Sequence, residues 1–155
     1  LTPRIEYEKD GIYYRSINDK NALVTYADGE TINVDVNGSL VDGKQNGNIK
    51  FRANYLFSTE EVLIKAQTEI DDAIYYLPII SENTDPVEFI NEKHVKIIRD
   101  SAIIDIQSNL PLCINGDKPS RIFNPVGGFE AVHFYVTMER DKDAVFSIKV
   151  NSRSD

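Results

Sequence analysis

Strict alternation of apolar and polar residues, sustained along most of the chain, constrains the fold more than any other feature. "TINVDV" sets Ile32, Val34 and Val36 against Thr31, Asn33 and Asp35. "IKFRANYLF" sets Ile49, Phe51, Ala53, Tyr55 and Phe57 against Lys50, Arg52 and Asn54. "VLIKAQTEI" groups Val62, Ile64, Ala66, Thr68 and Ile70 opposite Lys65, Gln67 and Glu69, and "AVFSIKV" groups Phe146, Ile148 and Val150 opposite Ser147 and Lys149. A period of two sends successive side chains to opposite faces, which is the signature of half-buried antiparallel strands. Turn chemistry separates the runs: "KDG", "ADGE", "VNGS", "VDGKQNGN", "INGDKP" and "NPVGG" offer residues that tolerate positive φ.

Helix competes in two places. "STEEVLIKAQ" has Ser58 three residues before Glu61, the spacing of a capping box. Its β-branched content and the alternation through Ile70 favour a strand. "DPVEFINEK" is the other place for a single helical turn. About ten strands with little helix must bury a face, and two packed sheets do so. The expectation is all-β: a two-sheet antiparallel β-sandwich, one domain over residues 1–155.

Length agrees, since 155 residues suit one domain. A formal charge of −8 and the lack of a basic stripe exclude nucleic acid as an expected partner. No apolar run approaches the roughly 20 residues that span a bilayer, so membrane insertion is not expected. No basic-then-apolar leader stands at the front, and the chain opens at Leu1 without a Met. The expectation is a processed protein or a piece of a longer one. The single cysteine, Cys113 in "LPLCING", rules out an internal disulfide and reads as a buried, inert thiol.

Catalytic equipment is sparse. The sequence holds no GxSxG elbow, Walker loop, GxGxxG fingerprint, HxH or HExxH pattern. His94 and His133 each sit in an alternating run, and His133 shares a face with Tyr135 and Thr137, opposite Val132, Phe134, Val136 and Met138. The glycines at 127 and 128 lack the helix and third glycine of a phosphate cradle. Glu60 with Glu61, Asp71 with Asp72, and Asp141 with Asp143 are turn-flanking carboxylates, normally solvated. No catalytic residue, metal ligand or cofactor is expected. Calcium has residual support from "DGETINVD" and "NGDK", which do not match the twelve-residue EF-hand spacing.

Aromatics give the better candidates. Tyr13 with Tyr14, and Tyr75 with Tyr76, each offer one ring to either face of a strand. An exposed tyrosine joins an apolar ring to a polar tip and can stack on a sugar. Tyr75, Tyr76, His133 and Tyr135 are therefore the candidate ligand-contacting residues. The competing view puts one tyrosine of each pair in the core.

"AIYYLPIIS" (73–81) and "RIFNPVGGFEAVHFYVTMERDKDAVFSIKV" (121–150) resemble the C-terminal β-sandwich of heparinase II/III-type polysaccharide lyases and related carbohydrate-active proteins. There an apolar-Pro strand is followed by a "GGFE"-like turn and closing core strands. In that family a helical toroid supplies most of the catalytic machinery and the sandwich packs against it. The resemblance thus implies a non-catalytic accessory domain of an exported bacterial protein, periplasmic or extracellular. Its partners would be a neighbouring domain and a polysaccharide. No family motif assigns a role to His94 or His133. Two other functions stay open: a stand-alone immunoglobulin-like or jelly-roll adhesion module, and a small glycoside hydrolase using a carboxylate pair.

Overall fold

A computed structural model describes residues 2–82, 84–114 and 130–153. In chain order the strands are β1 (Arg4–Lys9), β2 (Ile12–Arg15), β3 (Leu23–Ala27), β4 (Ile32–Leu40) and β5 (Ile49–Phe57). They continue as β6 (Glu61–Thr68), β7 (Ile74–Ser81), β8 (Val87–Asn91), β9 (His94–Ile98), β10 (Ala102–Ser108), β11 (Cys113–Ile114), β12 (Glu130–Thr137) and β13 (Ala144–Ser152). A 3-10 turn at Ser16–Asn18 follows β2. All strand pairs are antiparallel. They build a five-stranded sheet in the order β11-β12-β7-β1-β2 and an eight-stranded sheet in the order β3-β4-β5-β6-β13-β10-β9-β8. The expected all-β sandwich is what the chain forms, with more short strands than the alternation alone revealed.

The core lies between the sheets and follows the period of two. The small sheet sends in Ile5, Tyr75, Leu77, Phe134 and Val136; the large sheet sends in Phe51, Ile64, Val95, Ile97, Ile106 and Phe146. Tyr75 and Phe146 meet across the layers with ring centroids 4.9 Å apart and planes tilted by 35°. Offset or tilted aromatic pairs of this kind add to the burial of area. Pro78 falls inside β7, which is legible from the register. β1 pairs with β7 only at Ile74–Tyr76, so from Leu77 onward β7 is an edge on that side, where proline is tolerated.

Turn readings fared unevenly. Asp10 and Gly11 take φ of +53° and +76° in the β1–β2 hairpin, as a primed turn requires. "VNGS" is not a turn: Asn37 and Gly38 lie inside β4. A Cβ on Gly38 would stand 2.7 Å from Asp19 Oδ2 and 2.9 Å from the Phe51 ring, so glycine serves close packing there. "DPVEFINEK" is no helical turn either. Asn91 pairs with His94 across a tight hairpin, and the Asn91 side chain accepts from Lys93 N–H at 2.8 Å. The capping-box residue does cap, but within the β5–β6 turn: Ser58 Oγ accepts from Glu61 N–H at 3.0 Å, while Ser58 N–H donates to the Glu61 carbonyl at 2.9 Å. "NPVGG" and "NGDK" lie outside the described residues.

Candidate functional site

The outer face of the five-stranded sheet collects most of the candidate residues. Alternation decides which ones reach it. In β7 the odd positions point inward, so Tyr75 is 1% exposed and belongs to the core, its hydroxyl 3.3 Å from that of Tyr55. A ligand on the protein surface does not touch it. Tyr76 points the other way. The register then places Cys113 opposite Tyr135, Tyr135 opposite Tyr76, and Tyr76 opposite Arg4, a straight row across four strands. Tyr76 and Tyr135 have ring centroids 5.9 Å apart at 46°.

Charge extends this row. The Arg4 guanidinium sits 4.4 Å from the Tyr76 ring centroid, within cation–π range. Glu6, two residues along β1 on the same face, accepts from Arg4 Nε at 3.1 Å and from Arg15 Nε at 2.6 Å through one oxygen. Arg15 in turn lies 5.0 Å from the Tyr13 ring centroid. The result is a chain of contacts, Tyr13–Arg15–Glu6–Arg4–Tyr76–Tyr135, in which each charged side chain has its rotamer fixed by a neighbour. Glu6 is 9% exposed, so this carboxylate is held close to the sheet under the two arginines.

The phenols respond to these surroundings. The Tyr76 hydroxyl is raised above its usual range chiefly by burial, with Glu6 adding and Arg4 opposing. Tyr13 is raised mainly by the Glu8 carboxylate facing it across the hairpin. Tyr135 is raised first by the adjacent Cys113 thiol. All three are neutral at physiological pH, as hydrogen-bonding hydroxyls must be to both donate and accept.

His133 is half-buried on β12, opposite Pro78, on the same outward face as Tyr135. Its neighbours Val132, Phe134 and Val136 are buried, as the alternation requires. Cys113 corrects the expectation of a buried thiol: it is exposed, because the short edge strand β11 turns Ile114 inward and Cys113 outward beside Tyr135. Arg4, Glu6 and Arg15 were not among the candidates, and Tyr13 was raised only as one of a tyrosine pair. Their signal is present in "RIE" and "YYR", where i and i+2 share a face, but only the pairing of β1 with both β2 and β7 brings the two phrases together.

The opposite surface is built differently. Across the large sheet Glu88, Lys96, Asp105, Lys149 and Glu61 stand opposite one another in turn, a row of alternating sign. His94 Nε2 lies 3.0 Å from both Asp105 oxygens, and Ser147 hydrogen-bonds Glu61. Such cross-strand pairs stabilise a solvated face. An open depression of about 630 Å³ is lined by Asp19, Asn37, Ser39, Gln45, Lys50 and Phe51. Its carboxylate is committed to the backbone, accepting from Asn21 N–H and Ser39 N–H, each at 2.8 Å. Asp71 likewise accepts from Arg140 N–H at 2.8 Å. Among the described residues no three His, Cys, Asp or Glu side chains converge on a metal position.

Comparison with known proteins places the chain in context. Residues 1–152 match the model of the ulvan lyase C-terminal domain. A broad-specificity ulvan lyase from Formosa agariphila is 30% identical over 162 residues, covering 97% of this chain and 25% of that protein. Among solved structures, a mutant of the heparan sulfate lyase HepC from Pedobacter heparinus superposes with a TM-score of 0.61 at 16% identity, covering 86% of this chain and 22% of the other. Heparinase III gives 0.57 at 10% identity, with 84% and 21% covered. The chain thus spans about a quarter of the length of the relatives it matches.

Proposed function

Because the chain belongs to the ulvan lyase C-terminal domain family, we propose that it is a non-catalytic accessory β-sandwich of an exported bacterial polysaccharide lyase. In this reading it packs on a neighbouring domain and contacts glycan through the outer face of its five-stranded sheet. The carrying observation is the contact chain Tyr13–Arg15–Glu6–Arg4–Tyr76–Tyr135. Tyrosine joins an apolar ring, on which a sugar ring can stack, to a hydroxyl that pairs with sugar hydroxyls. Both Glu6 contacts run through Nε, so each guanidinium presents its terminal fork to a carboxylate or sulfate. Overall charge of −8 would repel an acidic polymer, and Glu6 and Glu8 offset the two arginines on this face, so binding rests on the guanidinium forks and not on a net positive field. Ulvan and heparan sulfate, the polymers in the relatives' names, set the ligand class to test.

The experiment is affinity electrophoresis of the 155-residue chain through gels cast with ulvan or heparan sulfate. Retardation is expected for the wild type, weakened at least about threefold by Tyr76→Ala and by Tyr135→Ala, with circular dichroism confirming the fold. Equal mobility of wild type and both variants, with or without polymer, overturns the reading.

A further inference from the structure

We propose that the β3–β4–β5 end of the large sheet is the surface on which the rest of a longer lyase polypeptide docks; the inference rests on the accessory-domain reading above. Eight strands face five, so the large sheet overhangs. On its inward face the core reaches Val36 on β4 and Tyr55 on β5 and stops. The same face continues outward without cover. Tyr26 lies opposite Val34, Val34 opposite Tyr55, Ile32 opposite Phe57, and Val24 opposite Val36. Tyr26 is 74% exposed, Val24 58%, Ile32 48% and Phe57 39%. Side by side they form one contiguous apolar patch, and the largest such patch on a soluble protein is often functional.

This patch is the core pattern of the strands carried past the small sheet, so the sequence has encoded a buried surface there. Two observations choose the occupant. The chain corresponds to about a quarter of each relative, which leaves three quarters of such a polypeptide to pack somewhere. A second copy is the alternative occupant, and two chains each carrying −8 repel one another. The outer face of the same sheet is a poor competitor, because the row from Glu88 to Glu61 is charged and solvated.

Hydroxyl-radical footprinting read by mass spectrometry tests this directly. The full-length polypeptide that carries this domain is compared with the isolated 155-residue chain at several concentrations. Oxidation of Tyr26 and Phe57 is expected to fall at least about fivefold in the full-length protein and to be independent of concentration in the isolated chain. Equal oxidation of both residues in the two forms overturns the docking surface. If Tyr76 and Tyr13 are protected instead, the accessory reading survives while this surface is refuted; protection nowhere refutes both. Protection of Tyr26 that grows with concentration of the isolated chain assigns the patch to a second copy and also overturns the proposal.

Discussion

Replacing Tyr75 by alanine separates a core tyrosine from one on the outer face of the sheet. The ring is fully enclosed, packed 4.9 Å from Phe146 and surrounded by side chains of both sheets. Aromatic-to-alanine changes at such sites cost about 3–5 kcal/mol, from lost transfer energy plus the cavity. Against a total stability of roughly 5–15 kcal/mol, that removes a large share of the fold's margin. Tyr75→Phe keeps the ring and deletes only the hydroxyl that meets Tyr55 at 3.3 Å. Tyr55 is half-buried, so its hydroxyl can turn to water and the cost falls to about 0.5–1.5 kcal/mol. Tyr76→Ala loses an exposed-face cation–π contact with Arg4, worth about 0.5–1 kcal/mol. Urea unfolding followed by far-UV circular dichroism ranks the three, the chain having no tryptophan to report. The expected order is Tyr75→Ala far above Tyr75→Phe and Tyr76→Ala. A Tyr75→Ala variant that loses less than about 1 kcal/mol refutes the register on which both the core and the site are built.

Three further outcomes follow from individual contacts. Glu6→Gln should cost about 1–3 kcal/mol in urea unfolding and release both arginines, because a nearly buried carboxylate accepts from each through one oxygen; an unchanged midpoint would show the pair to be idle. Gly47→Ala should destabilise by several times more than Gly11→Ala in thermal melts: at Gly47 φ is +129° and an added Cβ would lie 2.4 Å from the Leu40 carbonyl, whereas Gly11 faces open space. Burial raises the Tyr75 phenol well above the usual tyrosine value and raises Tyr55 as well. Folded pKa values above the unfolded one leave stability intact below about pH 10 and erode it as pH climbs from there toward the folded values. Urea midpoints should therefore fall from about pH 8 to about pH 11, and fall less in the Tyr55→Phe/Tyr75→Phe double variant.

The strands and their faces were legible because burial follows a local period. Ile64 and Ala66 inward with Lys65 outward, or Phe134 and Val136 inward with Tyr135 outward, need only neighbours in the chain. What escaped depends on partners distant in sequence. Gly38 reads as a turn until Asp19 and Phe51 are placed against it. "DPVEFINEK" lacks clean alternation because β8 is an edge strand with Phe89 and Ile90 exposed and a bulge between Phe89 and Asn91. Cys113 looks buried by type, yet a two-residue edge strand sends it outward. The candidate site was half legible: His133 and Tyr135 share a face by arithmetic, but Tyr76, Arg4, Glu6 and Arg15 join them only through the order β12-β7-β1-β2. Strand order of this kind is set by global packing, and one sequence carries no local mark of it.

The accessory reading is tested most directly by incubating the isolated 155-residue chain with ulvan and with heparan sulfate and following the ultraviolet absorbance of unsaturated sugar ends produced by β-elimination. The account predicts that absorbance stays at the no-enzyme baseline while the same preparation is retarded in the polymer-containing gel. Steady accumulation of unsaturated product by the isolated chain, abolished when it is unfolded, would contradict it.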